Sequence, residues 1–257
     1  MTNKVHLIDN MEFMARIPDN AFDLAPVDPP YFSGPEKRKY FGNKISPVGV
    51  KRLYKPVTAW KVPRKEYFDL LKEKSRNQII WGANYFAPLV GEPFKSPQRD
   101  QFSTFLKEHP IGWIVWDKVN YSSTFNDCEL ALTSFDRPSV IFRYMWNGML
   151  QGKSVTEGHI QQGNKKKNEK RIHPTQKPVV IYKWQLKNYA NPGDKIFDSH
   201  VGSGSIRIAC HDMGFDFTGC ELDPDYWQDQ EDRYRDHIKK GPELFEKDEY
   251  QRLIYDK

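Results

Sequence analysis

Short apolar runs alternate along this chain with stretches in which apolar residues recur every three or four positions. Val5 to Ile8 predicts a strand, Met11 to Ile17 a helix stopped by Pro18, and Ala21 to Val27 a second strand. Strand, helix, strand is the βαβ unit of a parallel sheet. Arg64 to Lys74 predicts a helix with Tyr67, Leu70 and Leu71 on its apolar side, and Asn77 to Trp81 a strand ending in Gly82-Ala83-Asn84-Tyr85-Phe86. Three further β-rich runs cover Ile111 to Trp116, Glu129 to Phe135 and Ser139 to Tyr144. Asp136-Arg137-Pro138 predicts a turn that joins the last two as an antiparallel hairpin at the sheet edge. A helix over Val179 to Tyr189 follows, then a strand over Lys195 to Asp198 and a helix over Ser205 to Met213. The strand Asp216 to Cys220 and a polar helix begun by Asp223-Pro224 and running to about Ile238 complete the pattern.

Periodicity fails over residues 32–62 and 146–172. Both stretches are longer than ordinary connections, which marks them as functional loops or disordered pieces. The expected organisation is one domain over residues 1–240 with these two irregular insertions, and a charged tail over 241–257.

Composition narrows the class. No run approaches the roughly eighteen apolar residues of a membrane span, and Met1-Thr2-Asn3-Lys4 starts no signal peptide. Cys128, Cys210 and Cys220 are odd in number and form no zinc or disulfide pattern, so they read as packing residues in a reducing cytoplasm. His6, His109 and His159 have no ligand-like spacing, and no metal site is expected. The net charge is +5, and its distribution says more. Lys37, Arg38 and Lys39 cluster in the first insertion, and Lys165, Lys166, Lys167 and Arg171 in the second. Each cluster alone reads equally as solvated surface; several around one motif point to a polyanion.

The chemistry concentrates where strands end. Asp28-Pro29-Pro30-Tyr31 closes the second strand, and two prolines stop the ladder and leave a carboxylate, two carbonyls and a ring at the carboxyl edge, where open α/β sheets bind ligands. Asp198 ends a strand before Gly202-Ser203-Gly204 and a helix, a loop that lets backbone approach a ligand. Glu221 ends the next strand, where an acidic residue suits the two hydroxyls of a ribose. Asp9, at the first strand's end, serves equally as a helix N-cap. The phosphate loop of nucleoside triphosphatases is absent.

Three segments carry a resemblance. Asp28-Pro29-Pro30-Tyr31 resembles the catalytic motif of DNA amino-methyltransferases, which act on adenine N6 or cytosine N4. Phe197-Asp198-Ser199-His200-Val201-Gly202-Ser203-Gly204 resembles their cofactor loop, and His173-Pro174-Thr175-Gln176-Lys177-Pro178 the segment that precedes it. Their order, catalytic motif first, resembles the circularly permuted β class, over roughly Val5 to Ile238 apart from the two insertions. The resemblance implies an α/β, Rossmann-like methyltransferase fold with a mostly parallel seven-stranded sheet and an antiparallel edge hairpin. It implies S-adenosylmethionine as cofactor and DNA as partner, leaves a homodimer open, and involves no membrane. It casts Asp28, Pro29, Pro30 and Tyr31 as catalytic. Asp9, Pro174, Thr175, Lys177, Asp198, Gly202, Ser203, Gly204 and Glu221 become cofactor-binding. Asp rather than Ser at the motif's head favours adenine N6. The alternatives are cytosine N4, an RNA or protein substrate, and a DNA-binding protein that has lost catalysis. The last is raised by two departures: Ser199-His200, where the family usually has proline and an aromatic, and Pro26 inside a strand. With no nuclease motif present, a stand-alone modification enzyme, of restriction-modification or phage type in a bacterial cytoplasm, is expected.

Overall fold

The computed structural model describes residues 2–31, 54–55, 60–90, 112–120, 126–147 and 150–240. Lys37, Arg38, Lys39, most of the first insertion and the charged tail lie outside the described residues. The strands are β1 (Asn3–Leu7), β2 (Phe22–Val27), β3 (Ser75–Trp81), β4 (Trp113–Asp117), β5 (Cys128–Thr133), β6 (Val140–Arg143), β7 (Trp146–Asn147), β8 (Leu150–Gln151), β9 (Lys195–Asp198) and β10 (Asp216–Glu221). The helices are α1 (Asn10–Ala15), α2 (Lys65–Lys74), α3 (Ala83–Val90), α4 (Val179–Tyr189), α5 (Ser205–Met213) and α6 (Pro224–Lys240). Eight strands form one sheet in the order β1-β10-β9-β2-β3-β5-β4-β6, while β7 and β8 pair separately. Among the described residues no helix is long and apolar enough to cross a membrane.

The fold is the expected α/β class with a mostly parallel sheet, and two of its connections differ from expectation. The opening strand-helix-strand is parallel, but β10 and β9 lie between β1 and β2. The predicted hairpin between β5 and β6 does not close, because β4 sits between them, antiparallel to β5 and parallel to β6. A local turn signal reports a change of direction without naming the partner. Ile114 and Trp116 of β4 are buried, and they give that strand the apolar character of an interior one. β6 is an eighth strand at the edge.

The central strands are apolar on both faces, as buried parallel strands must be. Leu24, Ile79, Trp81 and Ile196 face a core that includes Ile181 and Leu186 of α4 and Ile206 and Ala209 of α5. Their neighbours Ala25, Ile80 and Phe197 face a second core with Met14 of α1, Phe68 and Leu71 of α2, and Phe86 of α3. Pro26 is accommodated because the β2–β9 ladder holds a single registered pair, Leu24 with Ile196, and does not continue past the proline. Cys210 and Cys220 are buried packing residues as expected, whereas Cys128 is exposed where β5 begins.

Candidate active site

The carboxyl ends of β1, β2, β9 and β10 open into a cavity of about 250 Å³. Asp28, after β2, and Glu221, at the end of β10, line it from either side of β9, together with Gly202 and Tyr67 of α2. Of the sequence candidates, Asp9, the Asp28 to Tyr31 turn, Thr175, Lys177, Gly202, Ser203 and Glu221 line it.

Asp28 sits in a charged cluster with two residues from distant segments. Lys177 Nζ lies 2.5 Å from Asp28 Oδ2 and 3.0 Å from Glu129 Oε2. Lys118 pairs with the other oxygen of Glu129, and the Tyr31 hydroxyl donates to Glu129 Oε2 at 3.5 Å. β5 runs antiparallel to β3, so its first residues reach the same edge at which the parallel strands end. That reversal is what delivers Glu129 to Asp28. The remaining Asp28 oxygen, Oδ1, is buried with no hydrogen-bond partner among the described residues. Burial pushes the Asp28 carboxyl above its ordinary value, Lys177 opposes this, and Glu129 adds to it. Burial acts upward on Glu129 too, but Lys177 and Lys118 outweigh it and hold that carboxyl at about 2. Burial alone would lower the Lys177 ammonium, yet Asp28 and Glu129 together hold it well above its usual value. Lys177, cast on the cofactor side by the resemblance, is thus an ion-pair partner of Asp28.

Tyr31 stacks on Tyr85 with centroids 4.9 Å apart and an 8° interplanar angle. Its ring passes so close to Gly82, at φ +66°, that a Cβ there would run into it. Glycine therefore meets two demands at once: a left-handed backbone and a missing side chain.

The glycine loop and Glu221 form the opposite wall. Gly202 has φ +51°, and a Cβ on it would stand in open space, with no atom nearer than 4.0 Å. Glu221 Oε2 accepts from Gly202 N at 2.8 Å, and Oε1 accepts from Leu222 N and Asp223 N, each at 2.9 Å. Of about four lone-pair directions on a carboxylate, three are used among the described residues, which leaves one acceptor for a ligand hydroxyl. Ser203, Thr175 and Asp9 also line the cavity. Asp9 caps α1 as well, accepting from Met11 N at 2.8 Å and Glu12 N at 3.2 Å. Asp198, Gly204 and Pro174 are outside the lining. Asp198 is buried behind the loop and accepts from His200 N at 3.0 Å, and burial raises its carboxyl to about 8. Gly204 is the left-handed N-cap of α5, at φ 72°.

Ser199 and His200 belong to a chain of polar contacts that sequence reasoning missed. Asn10 Nδ2 lies 2.8 Å from His200 Nε2, His200 Nδ1 lies 2.9 Å from Ser199 Oγ, and that oxygen lies 2.6 Å from the Tyr67 hydroxyl. Burial holds the His200 imidazole down at about 4. Tyr67 was legible only as an apolar helix position; its hydroxyl carries no spacing signal. Glu129 did have one, as a charge opening an otherwise apolar strand.

The second insertion is more ordered than its composition implied. β7 and β8 pair, Gly152 bridges to Gln161, and Lys165–Lys167 form one exposed turn of 3₁₀ helix. Arg171 turns back instead of outward: its guanidinium lies over Trp146 at 5.3 Å and donates to the Pro174 carbonyl at 3.2 Å.

Residues 141–232 match the model of a family described as DNA methylase. That span holds the cofactor-loop half of the site and leaves Asp28 outside. The type II methyltransferase M.HpaI of Haemophilus parainfluenzae is 24% identical over 246 residues, 88% of this chain and 70% of that protein. The type II methyltransferase M1.MboII of Moraxella bovis is 22% identical over 251 residues, 87% and 93% of the two chains. Of solved structures, the M1.HpyAVI–SAM complex superposes with a TM-score of 0.49 at 18% identity, over 90% of this chain and 98% of that one. The PvuII DNA methyltransferase (cytosine-N4-specific) superposes with a TM-score of 0.49 at 11% identity, over 100% and 94%. The class to which the chain is similar is that of the amino-methyltransferases, acting on adenine N6 or cytosine N4.

Proposed function

We propose that this chain transfers a methyl group from S-adenosylmethionine to the exocyclic N6 of adenine in DNA, acting on a base swung out of the duplex. The observation that carries the reading is Asp28 Oδ1, a buried acceptor without a partner among the described residues, at the edge of the cavity. Buried polar atoms are ordinarily satisfied, and one left open at a strand's carboxyl end calls for a ligand donor. The opposite wall fits a nucleoside cofactor. Glu221 keeps an acceptor for a ribose hydroxyl, and Gly202 leaves room where any side chain would intrude. Ser203, Thr175 and Asp9 complete the lining on that side. When bound, S-adenosylmethionine supplies a methyl group on a cationic sulfur.

The protein's share of the chemistry is acceptance and orientation. An exocyclic amine on a purine is a weak nucleophile because its lone pair is delocalised into the ring. Asp28 Oδ1 accepts from one N–H, and the Pro29 carbonyl, confined by the proline that follows it, accepts from the other. Both hold the nitrogen toward tetrahedral geometry and stabilise the positive charge it gains. As nitrogen gains the methyl group it loses one proton, and Asp28, made more basic by burial, receives it. Tyr31 and Tyr85 offer a stacked aromatic edge to an extruded base; such stacking is worth about 1–3 kcal/mol, against a few kcal/mol for extrusion. The exposed turn at Lys165, Lys166 and Lys167 supplies phosphate contacts.

The test is incubation of the purified chain with methyl-labelled cofactor and duplex DNA, followed by nucleoside analysis. Label in N6-methyladenine, lost in Asp28→Ala with cofactor affinity kept, is the expected result. Label in N4-methylcytosine alone would move the target to cytosine, and label in RNA or protein alone would remove DNA from the reading.

A further inference from the structure

We propose that Lys177 and Glu129 are positioning residues, an ion pair whose ammonium occupies Asp28 Oδ2 and leaves Oδ1 as the oxygen presented to the substrate amine. The inference deepens the methyl-transfer reading and rests on it for its kinetic part.

The geometry is specific. Lys177 is 3% exposed, and its ammonium is shared between Asp28 Oδ2 at 2.5 Å and Glu129 Oε2 at 3.0 Å. It also lies 5.1 Å over the Trp81 ring and 6.0 Å over Tyr31, so its place is fixed by ring faces as well as charge. The Lys177 carbonyl accepts from Ser205 Oγ at 2.7 Å, which ties the same residue to the first turn of α5 beneath the glycine loop. One residue thereby sets the distance between the acceptor and the cofactor wall. Glu129 in turn is fixed on its far oxygen by Lys118.

The charges around Asp28 come from every element packed on it: Lys177 before α4, Tyr182 on α4, Glu129 on β5, Lys118 after β4, Tyr31 beside it, Tyr67 on α2 and Asp198 on β9. Lys177 and Glu129 act on Asp28 with opposite sign: the ammonium favours its ionised form and the second carboxylate opposes it. A pair that only braced the fold would have no reason to shift the acid side of the rate profile in opposite directions.

The experiment measures kcat/KM for methyl transfer to duplex DNA against pH for the wild type, Lys177→Met, Lys177→Arg and Glu129→Gln. A carbon NMR titration of the Asp28 carboxyl in the free protein runs alongside. Activity requires Asp28 ionised, so the acid limb follows its titration. Lys177→Met removes the favourable cation and moves the limb to higher pH, with a roughly ten-fold or greater loss at acid pH that shrinks on raising the pH. Glu129→Gln removes the like charge and moves the limb to lower pH. Lys177→Arg retains the cation and keeps the limb near wild type. Limbs that move together, or stay in place in both charge-removing variants, overturn the proposal. Should Lys177→Met fail to fold by thermal unfolding, the direction in Glu129→Gln decides. If the wild type methylates no DNA, the functional reading fails, and the carboxyl titration still settles the role of the pair.

Discussion

Gly82 and Glu221 carry more of the site than their size or charge implies. At Gly82, alanine would place a Cβ against the Tyr31 ring on a backbone at φ +66°. The strained backbone alone costs about 1–3 kcal/mol, and the displaced ring loses its stack on Tyr85. Gly82→Ala is therefore expected to lower the urea midpoint and to reduce methyl transfer; an unchanged midpoint would mean that the ring yields freely. Glu221 gathers three backbone amides, so Glu221→Ala releases the glycine loop as well as the acceptor proposed for the ribose. Charge-assisted hydrogen bonds contribute about 1.5–3 kcal/mol each. Calorimetry is expected to show at least roughly ten-fold weaker cofactor binding, and retained affinity would put the ribose elsewhere. That Asp28, Gly202 and Glu221 line the cavity was legible, because two of them stand at strand ends and the third lies in the loop that follows one. The partners of Asp28 were not, because no spacing rule links Glu129, Lys177 and Asp28; the sheet brings them together.

Among the elements, the second insertion joins order to charge through one acidic residue. Glu169, within the basic run, accepts from Gln176 Nε2 at 2.8 Å and from Val179 N at 2.9 Å at the start of α4, and pairs with Arg233 of α6 at 2.5 Å. Its backbone also exchanges hydrogen bonds of 2.7 and 2.8 Å with the Gln151 side chain. The segment is moored at Glu169 and exposed at Lys165–Lys167. Changing Lys165, Lys166 and Lys167 together to Gln is expected to flatten the salt dependence of DNA binding by about 0.9 for each phosphate no longer neutralised, with cofactor affinity unchanged. An unaltered slope would leave these lysines as plain solvated surface. Loss of periodicity correctly marked where the sheet pauses, but it could not show that side chains brace the segment. α3 was missed for a related reason: Gly82 reads as the end of a strand, and the helix after it begins without a side-chain cap signal.

For the whole molecule, buried imidazoles tie stability to pH. Burial holds His200 at about 4 and His173 at about 3, each below the ordinary value of 6.5. A base depressed on folding binds its proton more readily in the unfolded chain. Its contribution is full above 6.5 and is lost as the pH falls from there toward the folded value. The loss is roughly 1.4 kcal/mol for each pH unit crossed between the two values. Asp198, raised to about 8 by burial, acts with the opposite sign over the same range, so the measurement is a difference: between pH 7 and pH 5 the urea midpoint of His200→Asn should fall less than that of the wild type. An equal fall in the variant would assign the effect to other groups. At this scale the sequence conveyed strand directions and the buried character of the central strands; which strands are neighbours depends on long-range packing that no local pattern encodes.

The separation of β1 from β2 has a consequence for how the protein is made. β1 finds its partner in β10, and β2 completes its inner side only with β9, both synthesised near the end of the described chain. While the ribosome is still translating, β2 can pair with β3, but β1 has no neighbour and the floor of the cavity does not exist. Nascent chains stalled before residue 195 would carry the Asp28 turn without its opposing wall. The cavity can close only once the last strands have emerged.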